Sequence, residues 1–562
     1  MELNVPRILD AVASRHPERE ALLFRDRRLL WADVRDRTDR LASVLQTAGI
    51  GVRGTFGTGP RWASVHDHVA LLLHNGNEYL EGMIGSWKAR AAPFNVNYRY
   101  VRDELIHLLD AAHTRAIIVH EAFTPTLAEV LDELRRPPTL ILQVADGSGH
   151  GLLDGALELE AALSAADPMR RPDPATWSGD DLYLCFTGGT TGLPKGAMWR
   201  QADFLVAALG VRRRDGSEYE SLDELVDAAH GRVRALPAPP LMHGAAHWNA
   251  LSCWIAGGTV IIQDRPETFD AADVLDVAER HDATSLLVVG DPMARPLVDE
   301  LRRTSRDLSS VRHVLSGGAV LSPGVAAELH ELLGDVTIVD VLGSTESGRQ
   351  AVATSSVGSS EPTRSRRFVP SPTTVLLSED RHDVVPATSD RIGWLAQGGR
   401  VPLGYLDDEA ATEATFPVVG GERRAVPGDR ARWRRDGSIE LLGRDSVCIN
   451  TGGEKVFAEE VETALKRHPA VYDAVVCGRP SPRWGSEVVA IVQLRDDHDP
   501  TDRELVETAG ETLARYKLPK VIIRHPAIVR SPSGKADYRW ALGIATGAID
   551  RGLSPSTPPH SG

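Results

Sequence analysis

The chain has 562 residues, too many for one hydrophobic core, so length alone points to several domains or subdomains. Hydrophobic residues make up 42% and charged residues 25%, an ordinary balance for a soluble globular protein. The formal charge of −15, from 63 basic and 78 acidic residues, argues against sequence-independent nucleic-acid binding. Cys185, Cys253, Cys448 and Cys477 lie far apart and show no metal-ligand spacing, which fits a reducing, cytoplasmic setting. The N-terminus lacks the basic-then-apolar pattern of a signal peptide, and no apolar run approaches the ~20 residues needed to span a bilayer.

In chain order, residues 4–16 read as a short helix. Residues 21–24 and 28–31 read as a strand pair. Val34, Leu41, Val44, Leu45 and Ala48 recur at helical spacing. The glycine-rich stretch 51–66 reads as a loop, 69–73 as a buried strand and 77–89 as a helix. Strand and helix go on alternating through 116–119 and 139–144, the pattern of an α/β fold with largely parallel sheets. The apolar run 182–186 is a buried strand that leads into Thr187-Gly-Gly-Thr-Thr-Gly-Leu-Pro-Lys195-Gly196. Glycines let backbone N–H groups turn toward a ligand, and successive N–H groups make an anion-binding nest. With the Thr187, Thr190 and Thr191 hydroxyls and the Lys195 charge, this loop suits a polyphosphate. It is not the common P-loop, because Gly196 follows Lys195 where Ser or Thr is required.

Residues 211–236 are polar and read as a surface excursion. A helix at 245–254, a strand at 259–263, a helix at 271–281 and a strand at 285–289 follow. The strands 311–315 and 336–341 run into Ser316-Gly317-Gly318-Ala319 and Leu342-Gly343-Ser344-Thr345-Glu346. Ligands of open α/β sheets sit beyond the carboxyl ends of strands, so these tips mark one site. Residues 354–367 read as an exposed loop and 374–377 and 392–397 as strands of a small β-rich unit. Residues 432–442 read as a hairpin turning at Asp436-Gly437. A compact α+β unit closes the chain, with a helix at 459–466, strands at 475–477, 488–494 and 521–524, and a helix around 505–513. A disordered tail is expected over 546–562.

The ten-residue string 187–196 resembles the phosphate-binding signature of the adenylate-forming superfamily of acyl-CoA synthetases, luciferases and peptide-synthetase adenylation domains. Further motifs of that family recur in its order along nearly the whole chain. They are Leu342-Gly-Ser-Thr345-Glu346, Pro427-Gly428-Asp429, Gly443-Arg444-Asp445-Ser446, Gly452-Gly453-Glu454-Lys455-Val456 and Ser531-Pro-Ser-Gly-Lys535. Taken singly, Glu346 is a solvated strand cap, Asp429 a turn residue, Arg444 a surface cation and Lys535 a terminal charge. His243 stays open between a core histidine and one that faces the acid. The ordered set is what carries the resemblance.

The resemblance implies an α/β fold. A large N-terminal domain of α/β subdomains with a small β-rich subdomain (1–444) would join, through a hinge at Asp445 and Ser446, a small mobile α+β C-terminal domain (447–545). It implies an ATP-dependent acid–thiol ligase that first makes an acyl-AMP and then a CoA thioester, with ATP, Mg²⁺ and coenzyme A. Lys535 would bridge the carboxylate and the α-phosphate, Thr345 would donate to that phosphate, and Glu346 would hold Mg²⁺. Thr187, Gly188, Gly189, Thr190, Thr191, Gly192 and Lys195 would cradle the phosphates. Gly317, Gly318, Ala319, Asp340, Leu342, Gly343 and Ser344 would line the nucleotide. Asp429 would take the ribose hydroxyls, with Arg444 beside it. His243, Gly244, Ser316 and Val341 would face the acyl group, and Gly452 and Gly453 the pantetheine. Leu342 departs from the family's aromatic and loses stacking of about 0.5–1.5 kcal/mol on the base.

The segments 197–200, 290–297 and 446–455 are most similar to actinobacterial fatty-acid-CoA ligases, which implies a long-chain or bulky polycyclic acid such as a steroid side-chain or terpenoid acid. Small residues at Gly244, Ala245, Ala246 and 316–319 would leave room for it. Transfer of the acyl group to a carrier protein, a luciferase-like oxygenase and a non-catalytic ATP- and acid-binding sensor are the alternatives. A peptide-synthetase module is disfavoured, since no carrier domain follows residue 545. The expected partners are a small carboxylic acid, ATP and CoA, with no nucleic acid and no transmembrane segment. The oligomeric state is left open, a homodimer being one option.

Overall fold

The computed structural model describes residues 3–187, 194–356, 367–451, 454–531 and 534–547. Among these the chain forms a large N-terminal domain built on α/β and β sheets and a small C-terminal domain. The central sheet runs, edge to edge, Val369–Pro370, Gly348–Ser355, Thr337–Ser344, His313–Gly317, Ser285–Val288, Arg234–Pro237, Thr259–Ile262, Glu20–Phe24 and Arg27–Leu30. Its middle is parallel, from Thr337–Ser344 across to Glu20–Phe24, and its outer strands are antiparallel. Parallel strands carry helices on both faces, which is why Thr-Val-Ile-Ile at 259–262 and Ser-Leu-Leu-Val at 285–288 are buried at every position. A second, all-parallel sheet pairs Ala92–Asn95, His68–Leu72, Thr114–His120, Leu140–Val144 and Leu157–Glu158.

The expected elements recur with small shifts of their ends. The helices over 4–16 and 77–89 are Val5–Arg15, capped by the Asn4 side chain, and Asn77–Lys88. Thr374–Leu377 and Ile392–Gln397 lie in a five-stranded antiparallel sheet with Asp429–Trp433 and Ile439–Arg444. That sheet is the small β-rich subdomain. One reading needs correction. Residues 211–236 are not only a surface excursion, because Leu222–Ala228 is a helix capped by Ser221 that buries Leu225 and Val226 in the main core. The strand Leu182–Thr187 is buried, as expected, and pairs antiparallel with Lys195–Arg200. Helices at Gly290–Arg303, Pro323–Leu333 and Tyr538–Thr546 were not anticipated, the first of them with Pro296 in its interior.

The C-terminal domain packs Ala458–Leu465, Asp502–Gly510 and Tyr538–Thr546 on a sheet of Glu454–Phe457, Cys448–Thr451, Gly485–Leu494, Val471–Ser481 and Val521–Arg524. Among the described residues no helix is long and apolar enough to cross a membrane. Of the tail expected to be disordered over 546–562, Thr546 ends the helix Tyr538–Thr546 and Gly547 caps it, while the residues from 548 on lie outside the described residues.

Candidate active site

The site begins where His313–Gly317 and Thr337–Ser344 run side by side. Their parallel register sets Ser316 opposite Asp340 and Gly317 opposite Val341. Gly317 and Asp340 are buried, Gly318 is exposed, and Ala319, Val341 and Leu342 are half-buried. Leu342 leans on the core of the β-rich subdomain. The register of Thr337–Ser344 against Gly348–Ser355 shifts between Leu342 and Gly343. A Cβ on Gly343 would sit 2.2 Å from the Gly348 carbonyl oxygen, so only glycine fits where the strand bulges.

The turn that follows is held from within and from outside. The Ser344 N–H donates to Ser347 Oγ at 3.1 Å and the Glu346 N–H to Ser344 Oγ at 3.2 Å. The Trp199 indole N–H donates to the Thr345 carbonyl at 2.9 Å, and Thr345 Oγ1 lies 4.0 Å from Cys185 Sγ. Trp199 and Cys185 belong to the paired strands Lys195–Arg200 and Leu182–Thr187, so that strand pair and the Thr345–Glu346 turn are fastened together. Thr187 Oγ1 reaches Glu346 Oε1 at 3.5 Å, and the Tyr405 hydroxyl donates to the same oxygen at 2.9 Å. Lys195, at the start of the strand Lys195–Arg200, pairs with Asp408 at 3.0 Å and stands 5.6 Å over the Tyr405 ring. Gly188, Gly189, Thr190, Thr191 and Gly192 lie outside the described residues, as do Gly452 and Gly453.

Asp429 and Arg444 pair across the first rung of the hairpin Asp429–Trp433/Ile439–Arg444, with Arg444 Nε 3.3 Å from Asp429 Oδ1. Burial raises the Asp429 carboxyl pKa, and Arg444 opposes the rise. The Arg444 guanidinium is held up chiefly by Asp429. Lys535 comes to the same place from the C-terminal domain. By area it is open to solvent, yet it lies deep among protein atoms, and that depth strips its hydration. Its pKa is pushed down by burial and then by Arg444, while Glu346, Asp429 and Cys185 draw it up. One cluster of charges therefore contains the lysine and both carboxylates expected from the sequence. Asp445 and Ser446 follow Arg444 directly, and the Asp445 N–H donates to the Gly428 carbonyl at 3.0 Å.

A second wall is built from histidines. His243 precedes the helix Gly244–Ile255, and its Nε2 is buried with no hydrogen-bond partner. Burial, then Lys535, pushes its pKa down to about 3. His247 Nδ1 lies 2.7 Å from the Leu241 carbonyl, so that nitrogen carries the proton and Nε2 accepts from the Tyr183 hydroxyl. Tyr183 in turn accepts from the Trp248 indole at 2.8 Å. Gly244 and Ala245 are half-buried, with Trp248 at 3.4 Å from a Cβ built on Gly244. Ala246 and Ser316 are wholly buried, and the Ser316 hydroxyl accepts from the Gly290 N–H at 3.2 Å. Ser316 thus helps to hold the start of a helix.

Two residues of this region were missed by sequence reasoning. Tyr405 is one. Asn95 is the other: its amide donates to the Phe186 and Met242 carbonyls at 2.8 Å each and accepts from the Phe186 N–H at 2.8 Å. It ties the strand Leu182–Thr187 to the segment before His243. Its only local signal is a polar residue at the carboxyl end of a buried strand. For a divalent cation, the fit among the described residues is a single carboxylate, Glu346, beside Thr187 at the start of the loop that the sequence reads as phosphate-binding. That suits Mg²⁺, which binds through one or two carboxylates plus phosphate oxygens and waters.

Comparison with known proteins agrees along the chain. Residues 9–389 match the model of the AMP-binding enzyme family, and residues 460–535 that of the AMP-binding enzyme C-terminal domain. The medium-chain acyl-CoA ligase Mig of Mycobacterium avium is 47% identical over 541 residues, covering 96% of this chain and 97% of that one. A 3-oxocholest-4-en-26-oate–CoA ligase of Rhodococcus rhodochrous is 37% identical, covering 96% of both. Among solved structures, the anthranilate CoA ligase AuaEII in complex with anthranoyl-AMP has the same fold, with a TM-score of 0.79 at 22% identity over 97% of this chain and 98% of that one.

Proposed function

The chain belongs to the AMP-binding enzyme family, and from that premise we propose that it joins medium- to long-chain or bulky steroid side-chain acids to coenzyme A at the expense of ATP. The names of its relatives support the substrate class: one acts on medium-chain acids, another on 3-oxocholest-4-en-26-oate. The observation that carries the reading is the charge cluster of Lys535, Glu346, Asp429 and Arg444 beside Thr187.

In this reading a carboxylate oxygen attacks the α-phosphorus of ATP, an O–P bond forms and pyrophosphate leaves. Two anions must meet, and Lys535 offsets their repulsion while Thr345 and the 187–195 loop bind phosphate oxygens. Asp429 accepts from the ribose hydroxyls, and Arg444 opposes the rise that burial imposes on that carboxyl. Glu346, held by Tyr405, would keep Mg²⁺ on the phosphates, where the ion supplies charge neutralisation. The thiol sulfur of CoA then attacks the acyl carbonyl and AMP departs with the electron pair. Rotation of residues 447–545 about Asp445 and Ser446 would withdraw Lys535 and bring Gly452 and Gly453 to the pantetheine. The same reading makes the enzyme cytoplasmic.

The test is pyrophosphate release with ATP and Mg²⁺ over short, medium, long-chain, aromatic, steroid and terpenoid acids, with and without CoA. A thioester formed only with CoA is the expected result. Adenylate without thioester would point to a carrier-protein acceptor. ATP binding without pyrophosphate release from any acid would overturn the ligase reading and leave a sensor.

A further inference from the structure

The segment Gly290-Asp-Pro-Met-Ala-Arg-Pro-Leu297 stands out in the sequence but has no part in the chemistry above. In the structure it opens the helix Gly290–Arg303, whose first turn is bolted to the nucleotide side of the site. The Gly290 N–H donates to Ser316 Oγ at 3.2 Å, the Asp291 N–H to the Val320 carbonyl at 3.0 Å, and the Ser322 N–H to Asp291 Oδ1 at 2.6 Å. The same helix faces the C-terminal domain with residues four apart, which places them on one stripe. Asp291 Oδ2 lies 3.2 Å from Lys466 Nζ, the Arg295 guanidinium is 5.8 Å from the Tyr472 ring, and Asp299 Oδ1 is 3.7 Å from Arg495 Nη1. Tyr472 also carries the Arg495 guanidinium, at 5.5 Å.

The first of these contacts is buried on both sides, with the Asp291 side chain 1% and the Lys466 side chain 4% exposed. It does not end there. Lys466 Nζ is 4.0 Å from Asp473, and Asp473 takes both Arg530 Nε and Nη2 at 2.7 Å. Arg530 Nη1 then donates to the Gly534 carbonyl at 3.2 Å. Gly534, at φ +70°, packs directly on the residue before the helix: a Cβ there would lie 2.9 Å from Val289 Cγ1. The next residue is Lys535. A line of alternating charge thus runs from the nucleotide-side helix to the backbone that carries the lysine.

We propose that Asp291, Lys466, Asp473 and Arg530 form a buried charge relay that registers the C-terminal domain on the Gly290–Arg303 helix and so presents Lys535 for acyl-AMP formation. These are positioning residues, and the inference rests on the two-step reading of the reaction given above. The physics suits a reversible dock. Buried ion pairs add little net affinity over apolar contacts, but a misplaced partner leaves an uncompensated charge, so they select one orientation. When the domains part, each charge can be hydrated, which an apolar seam of equal size would not allow as cheaply.

The test compares Lys466→Met with the wild type in two assays and one activity-free measurement. Acyl-AMP formation from dodecanoic acid and ATP should fall about tenfold or more, while thioester formation from supplied dodecanoyl-AMP and CoA stays within about twofold. Lys466→Arg should recover most of the first rate. Amide hydrogen exchange over 290–303 and 463–475 should quicken in Lys466→Met without added substrate. Equal losses in both half-reactions, or an unchanged first one, would overturn the relay. If Lys466→Met fails to fold, Lys466→Gln, which keeps a polar head in place of the charge, should slow acyl-AMP formation by about threefold or more and spare the thioester step; no selective loss there overturns the relay equally. If the wild type adenylates no acid, the ligase reading fails by itself, and the exchange data alone decide the dock: no quickening refutes it.

Discussion

Arg444 Nε stands 3.3 Å from Asp429 Oδ1, and the two residues face each other across the first rung of one hairpin, where the N-terminal domain hands over to the C-terminal one. The guanidinium opposes the rise in pKa that burial imposes on the Asp429 carboxyl, at the spot proposed for the ribose. Asp429→Ala removes that acceptor and leaves Arg444 beside Lys535 with one negative group fewer. The KM for ATP should rise about 10- to 100-fold, the worth of a hydrogen bond to a charged group, with a smaller change in the KM for the acid. Steady-state pyrophosphate release read against ATP concentration checks this. An unchanged KM would place the ribose elsewhere.

Lys535 should act in one half-reaction only. Lys535→Ala should slow acyl-AMP formation by about 10²- to 10³-fold and leave transfer from supplied acyl-AMP to CoA near wild type. The lysine also gives a pH signature. The ammonium is the useful form, and burial followed by Arg444 pushes its pKa below the ordinary 10.5. The rate constant kcat/KM for ATP should therefore fall as pH rises through a value below 10.5. Arg444→Gln removes a cation that depresses the lysine, so the alkaline limb should move upward. A limb that stays put in this variant would show that another group sets it.

Much of this arrangement could be read from the sequence because its parts are local. The strand tips, the Thr345–Glu346 turn and the Pro427-Gly428-Asp429 corner are short strings whose residue types match their chemistry. Thr374–Leu377, Ile392–Gln397 and Val521–Arg524 fell where their apolar, β-favouring runs ended. What escaped was set by contacts distant in sequence. Tyr405 meets Glu346 across 59 positions and Asn95 meets Phe186 across 91, and neither distance leaves a periodic trace. The helix Gly290–Arg303 was hidden by Pro292 and Pro296, which disfavour helix locally but are outweighed here by a buried apolar face of Met293, Ala294, Leu297 and Val298. The antiparallel pairing of Lys195–Arg200 with Leu182–Thr187 went unread as well.

Four buried histidines link stability to acid. Burial is the leading cause that lowers His68, His120 and His247 to about 4 and His243 to about 3, from an ordinary 6.5. Each is lower in the folded chain than in the unfolded one, so the unfolded chain binds protons more readily as pH falls below 6.5. Their contribution is intact above 6.5 and is lost progressively down to the folded values. Each histidine can remove up to about 1.4 kcal/mol per pH unit in that window. The urea midpoint of unfolding should fall steadily from pH 7 to pH 5, and His247→Asn should flatten part of that slope. A midpoint constant over this range would mean that the rings are protonated in the folded chain.

Tyr405→Phe isolates a single hydroxyl. The tyrosine O–H donates to Glu346 Oε1 at 2.9 Å, while its ring lies 5.6 Å beneath the Lys195 ammonium. Phenylalanine keeps the ring, so the contact with Lys195 survives and only the hydrogen bond is lost. That bond orients the carboxylate proposed to hold Mg²⁺, and outer partners of this kind are worth about 10- to 100-fold in metal affinity. The half-saturating Mg²⁺ concentration at saturating ATP should rise by about tenfold, with the dependence on the acid little changed. Acyl-AMP formation titrated with Mg²⁺ at fixed ATP reads this directly. Because Lys195 also steadies the start of its strand through Asp408 at 3.0 Å, Lys195→Met provides the contrast. It should weaken ATP binding and leave the Mg²⁺ midpoint nearly where it was. If Tyr405→Phe instead changes only the KM for ATP, Glu346 acts on the nucleotide without a metal between them.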